Sequence, residues 1–212
     1  MDEDIEIINT NTRNEKIKKF FITNKKKIIT FLSFLILIAI FYFLFSEIKE
    51  RNKIKLAEKY NKIKIDHTTN NKEITKNKLI EIVYENDSTY SPLALYFMID
   101  NEILIENAEI NKLFDQIINK TKLDKEIKNL IIYKKGLFNS DFTSENELLK
   151  ILNPIINSES IWKSHALYLI AEYFYSKNEK EKSKEFFNKI VKMNNSNQKI
   201  KVESQKRLNR DF

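Results

Sequence analysis

Residues 28–46, IITFLSFLILIAIFYFLFS, run for nineteen positions without a charge. At about 1.5 Å rise per residue, a helix of this length covers roughly 30 Å, the thickness of the hydrocarbon core of a bilayer. A helix destined for a soluble core keeps a polar edge, whereas this run carries polar atoms only at Thr30, Ser33, Tyr42 and Ser46 and is apolar on every face. The expected structure is a transmembrane helix over 28–46. A cleavable signal peptide has a shorter apolar region, about 7 to 15 residues, followed by small side chains. Phe43, Leu44, Phe45, Ser46 and Glu47 stand there instead, so the segment reads as a permanent anchor. Lys25, Lys26 and Lys27 abut the run directly, which favours an N-terminal tail (1–27) in the cytoplasm and a translocated C-terminal domain.

Composition narrows what the rest can be. The chain of 212 residues holds one Gly, two Pro and no Cys. Hairpins, dinucleotide-binding turns and phosphate loops each require Gly at fixed places, so an all-α fold is expected. Without Cys, and with only His67 and His165, neither a disulfide nor a thiolate or multi-histidine metal site is available, and no cofactor is expected. The formal charge of +7 comes from scattered Lys, with Arg only at positions 13, 51, 207 and 210. Phosphate recognition uses clustered basic groups and often Arg, so nucleic acid is not the expected partner. The carboxylates are dispersed, with no convergent pair for acid–base chemistry, and neither an enzyme nor a small-molecule substrate is expected.

Past the anchor, nothing breaks a helix until the polar stretch Asp66–Lys72, and Glu47/Arg51 and Glu58/Lys62 have the spacing of i,i+4 ion pairs. Residues 47–72 read as a membrane-exit helix and loop, and 73–212 as a repetitive helical domain. Four hexads, Leu79–Tyr84, Leu113–Ile118, Ile151–Ile156 and Phe186–Val191, share the order two apolar, one polar, one variable, two apolar. They begin 34, 38 and 35 residues apart, so one helix recurs at nearly one period. Companion helices lie between them, at Ser91–Asn107 with Ser91 as cap, Pro92 in the first turn and a Leu95, Ile99, Ile103 stripe, at Asp124–Phe138, and at Ser160–Tyr175. A polar helix near Gln198–Leu208 has the composition of a cap. The expected architecture is an α-solenoid of helix pairs.

The last pair resembles the tetratricopeptide repeat: Ala171, Phe174, Asn178 at the turn, Ser183, Phe187 and Ile190 fall on its spacing. Gly136 stands sixteen before Leu152 as Ala171 stands sixteen before Phe187, extending the register to the preceding pair. Earlier pairs depart from the pattern, with Met98 at a small-residue position and Pro154 set to shorten its helix. A short tail, one anchor, degenerate repeats and a basic closing helix (Lys206, Arg207, Leu208) together resemble the ancillary subunit family of the bacterial Sec translocon. The resemblance implies a bacterial inner-membrane protein with a periplasmic repeat domain, partnered by the translocon and by periplasmic chaperones or exported clients. A scaffold in cell division or membrane-complex assembly is the alternative.

Such repeats hold peptides in the groove lined by the first helix of each pair. In the register set by Ala171, the groove positions of the last pair are His165, Tyr168, Glu172 and Tyr175. Two readings stand for them: contact with a partner, or burial of Tyr168 beneath the C-terminal helix. Trp162 reads as an inter-helix wedge.

Overall fold

The computed structural model describes the backbone of residues 2–212 and the side chains of residues 15–212. It is helical, with no strand among the described residues. The chain divides into two compact units, residues 1–55 and 56–212.

The first unit is the bulk of helix α1 (Asp2–Asp66). Within it the apolar run leaves every face bare: large side chains from Ile29 to Phe45 are 44–71% exposed, and none of the most apolar window is buried. A helix of this length and composition is able to cross a membrane. Thr30 satisfies its hydroxyl internally by donating to the Lys26 carbonyl at 3.0 Å, as an apolar surrounding requires. Of the two expected i,i+4 pairs, Glu47–Arg51 closes at 2.7 Å. Glu58–Lys62 does not form, and Lys59 instead reaches Glu81 of α2 at 2.8 Å.

The second unit begins inside α1, ahead of the boundary at residue 73 read from the sequence, because Tyr60 and Ile63 are 6% exposed and belong to its core. Helix α1 ends at Asp66 where the polar stretch begins. Asn71 closes that end, its amide donating to the Asp66 carbonyl at 2.7 Å and its oxygen accepting from the Thr68 N–H at 2.9 Å. Eight helices follow: α2 (Lys72–Tyr84), α3 (Tyr90–Asp100), α4 (Asn107–Lys120), α5 (Lys125–Asn139), α6 (Glu145–Ile156), α7 (Lys163–Ser176), α8 (Lys180–Lys192) and α9 (Gln198–Asp211). From α2 onward each helix packs on its successor, and α2 also meets α4, α5 meets α7 and α7 meets α9.

The hexads lie on α2, α4, α6 and α8, and in the last three their second and fifth residues are buried, Phe114 and Ile117, Leu152 and Ile155, Phe187 and Ile190, with Leu113 buried as well in the α4 hexad. Three buried clusters follow one another along the chain. Ile118 packs on the first and second, and Ile156 and Phe186 on the second and third, so the hexad ends join them. Burial of each such side chain stabilises by about 1.5–3 kcal/mol relative to exposure. The spacing of sixteen is a physical contact in α5–α6, where a Cβ on Gly136 would lie 2.5 Å from a methyl of Leu152. Ala171 and Phe187 likewise share one buried cluster.

Local signals account for some helix ends. Ser144 and Glu147 form a reciprocal capping box on α6, which stops two residues beyond Pro154. Asn178 follows α7 at φ 62°, with Glu179 N–H on the Phe174 carbonyl and Asn178 N–H on that of Tyr175, the Schellman pattern that an Asn tolerates.

Two details at α3 differ from the sequence reading. Ser91 does not cap the helix; it is fully buried and donates to the Ile82 carbonyl of α2 at 3.0 Å. Asp87 does the capping, accepting from the N–H groups of Thr89 and Tyr90 at 2.8 Å each. The helix also ends at Asp100, short of Asn107. Glu102 takes φ 52° and the Ile103 N–H folds back on the Met98 carbonyl at 2.8 Å. Ile103 is therefore a buried contact beyond the helix end, and not part of its stripe.

Candidate partner-binding surface

Helix α7 carries all four groove residues, and the structure sorts them into two groups. Tyr168, Glu172 and Tyr175 fall at i, i+4 and i+7, one stripe of the helix. α8 returns antiparallel beside α7: Phe187 meets the Tyr168 ring at 5.5 Å, while Ser183 donates to the Ala171 carbonyl at 2.8 Å. The stripe is left for α9, which reaches it through Arg207.

Arg207 is 9% exposed. Its Nε and Nη2 donate to the two carboxylate oxygens of Glu172 at 2.7 and 2.9 Å, a bidentate fork, and Nη1 donates to Asp211. The guanidinium carbon sits 4.3 Å from the centre of the Tyr175 ring, adding a cation–π contact. Phe212 closes the cluster edge-on to Tyr175 at 5.9 Å and to Phe187 at 6.1 Å. Burial, together with the charge of Glu172 and a hydrogen bond to it, pushes the Tyr168 hydroxyl up to about 12. Hydrogen bonding to Arg210 and the nearby Arg207 charge hold the Asp211 carboxyl below its ordinary range. The face is thus amphipathic, with an anionic centre between two aromatic rings, and its present occupant is a helix of the same chain.

His165 stands apart from this cluster. It lies 5.1 Å from the Trp162 ring and 5.9 Å from that of Tyr133 on α5. Trp162 stacks on Tyr133 at 6.0 Å and 18°, which is the inter-helix wedge expected of it. The His165 Nδ1 meets no hydrogen-bond partner among the described residues, and burial holds the imidazole below its ordinary pKa. A depressed histidine contributes stability that is present above the unfolded value of 6.5 and is lost as pH falls toward the folded value. Unfolding midpoints in urea, read from Trp162 fluorescence, should therefore drop between pH 7.5 and 5.5, and His165→Phe should flatten that segment.

Asp211 and Phe212 were not among the residues singled out from the sequence, and Arg207 was read only as part of the basic closing helix. The contact joins residues 35 apart, and the available signal was the appearance of Arg in a chain that otherwise uses Lys. Removing the guanidinium leaves Glu172 and Asp211 without their shared partner. Full burial would make that cost about 3–5 kcal/mol. The Glu172 side chain is 36% exposed, so Arg207→Met should lower stability by about 2 kcal/mol in urea unfolding of the full chain in detergent.

No family model matches the chain, and no match emerges among curated proteins or solved structures.

Proposed function

We propose that this chain is a single-span membrane protein whose second unit is a protein-docking module of degenerate tetratricopeptide-like helix pairs. The observation that carries the reading is the apolar stretch of α1, bare on every face, in one chain with a packed helical array. A surface of this kind is stable in lipid and a liability in water. The pairing is supported by the contact of Gly136 with Leu152, by the shared cluster of Ala171 and Phe187, and by the left-handed Asn178 at the last turn. Docking of a helix on a face of this kind has an intramolecular example in α9, which covers the α7 stripe through the Glu172 fork and the Tyr175 ring.

The partner class is the bacterial export machinery: the Sec translocon, with periplasmic chaperones or exported clients. Its support is the resemblance in order of tail, anchor, repeats and basic closing helix. In this arrangement the tail lies in the cytoplasm of the inner membrane and the second unit in the periplasm. Cross-linking in native membranes tests the partner: recovery of translocon subunits supports it, and recovery of division or complex-assembly proteins favours a scaffold. Since the chain has no native Cys, Asn70→Cys, at an exposed position, gives a single thiol for topology. Labelling from the periplasmic side is the expected outcome, and labelling from the cytoplasmic side alone contradicts the orientation.

A further inference from the structure

Helices α6 and α8 both pack on α7 and leave a trough of about 430 Å³ between them. Ile156, Leu167 and Phe186 form its apolar floor, and Lys163, Lys189 and Lys192 stand on its rim, with no carboxylate among the lining residues. The repeat explains the trough. One period earlier, the equivalent Ile118, Ile132 and Ile151 line a cleft of about 510 Å³ over α4, α5 and α6. That earlier cleft is electrostatically balanced: Asp115 pairs with Lys135 at 2.7 Å, and Glu147 accepts from Thr143 at 2.8 Å. The cavity is thus a property of the stacking, while of these two only the later has a lining whose charged residues are all Lys.

We propose that this trough receives an acidic amphipathic helix from a protein partner. An apolar side chain seats against Phe186 and Leu167, and carboxylates on either side of it meet the three ammonium groups. The rim has charge to offer. Lys192 pairs with no carboxylate among the described residues, and Lys163 has only the 84%-exposed Glu159 at 3.9 Å. Lys189 pairs with Glu185 of its own helix at 2.7 Å, a 62%-exposed partner that an incoming carboxylate would share or displace, and it sits 4.5 Å over the centre of the Phe186 ring at the edge of the floor. The rim lysines come from two helices and face a common concave floor, which suits a rod of side chains entering the trough. A flat anionic bilayer would touch only the rim. The assignment deepens the docking reading, on which it rests for the partner being a protein. It is independent of the α7–α9 contact and of the partner's identity.

The test uses the full chain in nanodiscs of zwitterionic lipid and a labelled peptide of about fifteen residues, four helical turns, with Leu along one face and Glu elsewhere. Anisotropy should report binding that weakens with added salt, and the same peptide with Gln for Glu should bind at least about tenfold more weakly. Lys189→Glu with Lys192→Glu should cost a similar factor. Both side chains are exposed, so the circular dichroism of that variant should be unchanged. Absence of binding, or equal binding by the Gln peptide or by the charge-reversed variant, overturns the proposal. So does displacement of the Glu peptide by vesicles containing phosphatidylglycerol, which would assign the trough to lipid. Failure here with recovery of protein neighbours by cross-linking would leave the docking reading standing, and failure of both would remove it.

Discussion

Two arginines in the middle of the apolar run, Leu35→Arg with Ile38→Arg, should release the chain from the membrane. On an insertion scale each Leu, Ile or Phe at the centre of a span contributes about −0.3 to −0.6 kcal/mol, while each central Arg costs about +2.5 to +3.5. The pair therefore costs about 6–8 kcal/mol once the lost apolar side chains are included, which offsets most of what the whole run of Leu, Ile and Phe supplies. Membrane fractionation reads the result directly, with the variant expected in the soluble or aggregated fraction and the parent in the membrane pellet. A variant that pellets as the parent does, and resists washing equally, would show that this run is not what holds the chain.

Gly136→Leu should cost the second unit more than about 3 kcal/mol. A Cβ alone at this position would lie 2.5 Å from Leu152 Cδ2 and 3.0 Å from its Cγ. Leu152 is fully buried between α5, α6 and α7, so it has nowhere to retreat. Overpacking of a closed core costs about 1–3 kcal/mol for small additions, and four added carbons force the helices apart. Alanine is the milder case, because its gain of about 1 kcal/mol in helix propensity offsets part of the clash. Urea unfolding followed by Trp162 fluorescence should rank Gly136 above Gly136→Ala above Gly136→Leu. Trimming Leu152 to Ala in the Leu variant should recover part of the loss, as complementary volumes do.

These expectations show which parts of the molecule were written in local pattern. The apolar run is legible because lipid asks for apolarity on all sides, and nineteen uncharged residues in a row are long enough to meet that demand. The hexads are legible because a helix wedged between neighbours buries residues at i and i+3 whatever its exact partners, as Phe114/Ile117 and Phe187/Ile190 do. Gly136 and Leu152 were readable as a pair because a register fixed on one repeat carries to the next.

Contacts between distant segments were not legible in the same way. Ser91 looked like a cap because it precedes Pro92, yet its hydroxyl found a buried carbonyl on α2 while Asp87 took the cap. Which of two short polar residues caps a helix depends on what packs behind it. Glu102 carries no sequence signal for a left-handed turn, and it adopts one because Ile103 and Leu104 are drawn into the core. The groove stripe of Tyr168, Glu172 and Tyr175 was readable from the α7 register, and cover by the C-terminal helix was one of its two readings, but the fork between Arg207 and Glu172 was not, since pattern does not say which side chains meet across helices. The trough between α6 and α8 is assembled from three helices, and its lysines look like ordinary solvated charges in any one of them.

The central claim is that the chain is held by a helix buried in lipid, and washing native membranes with alkaline carbonate tests it most directly. The chain should remain in the pellet after the wash and enter the supernatant only with detergent. Release by carbonate alone would mean that the apolar face of α1 is covered by protein, and the account of an anchor would fail.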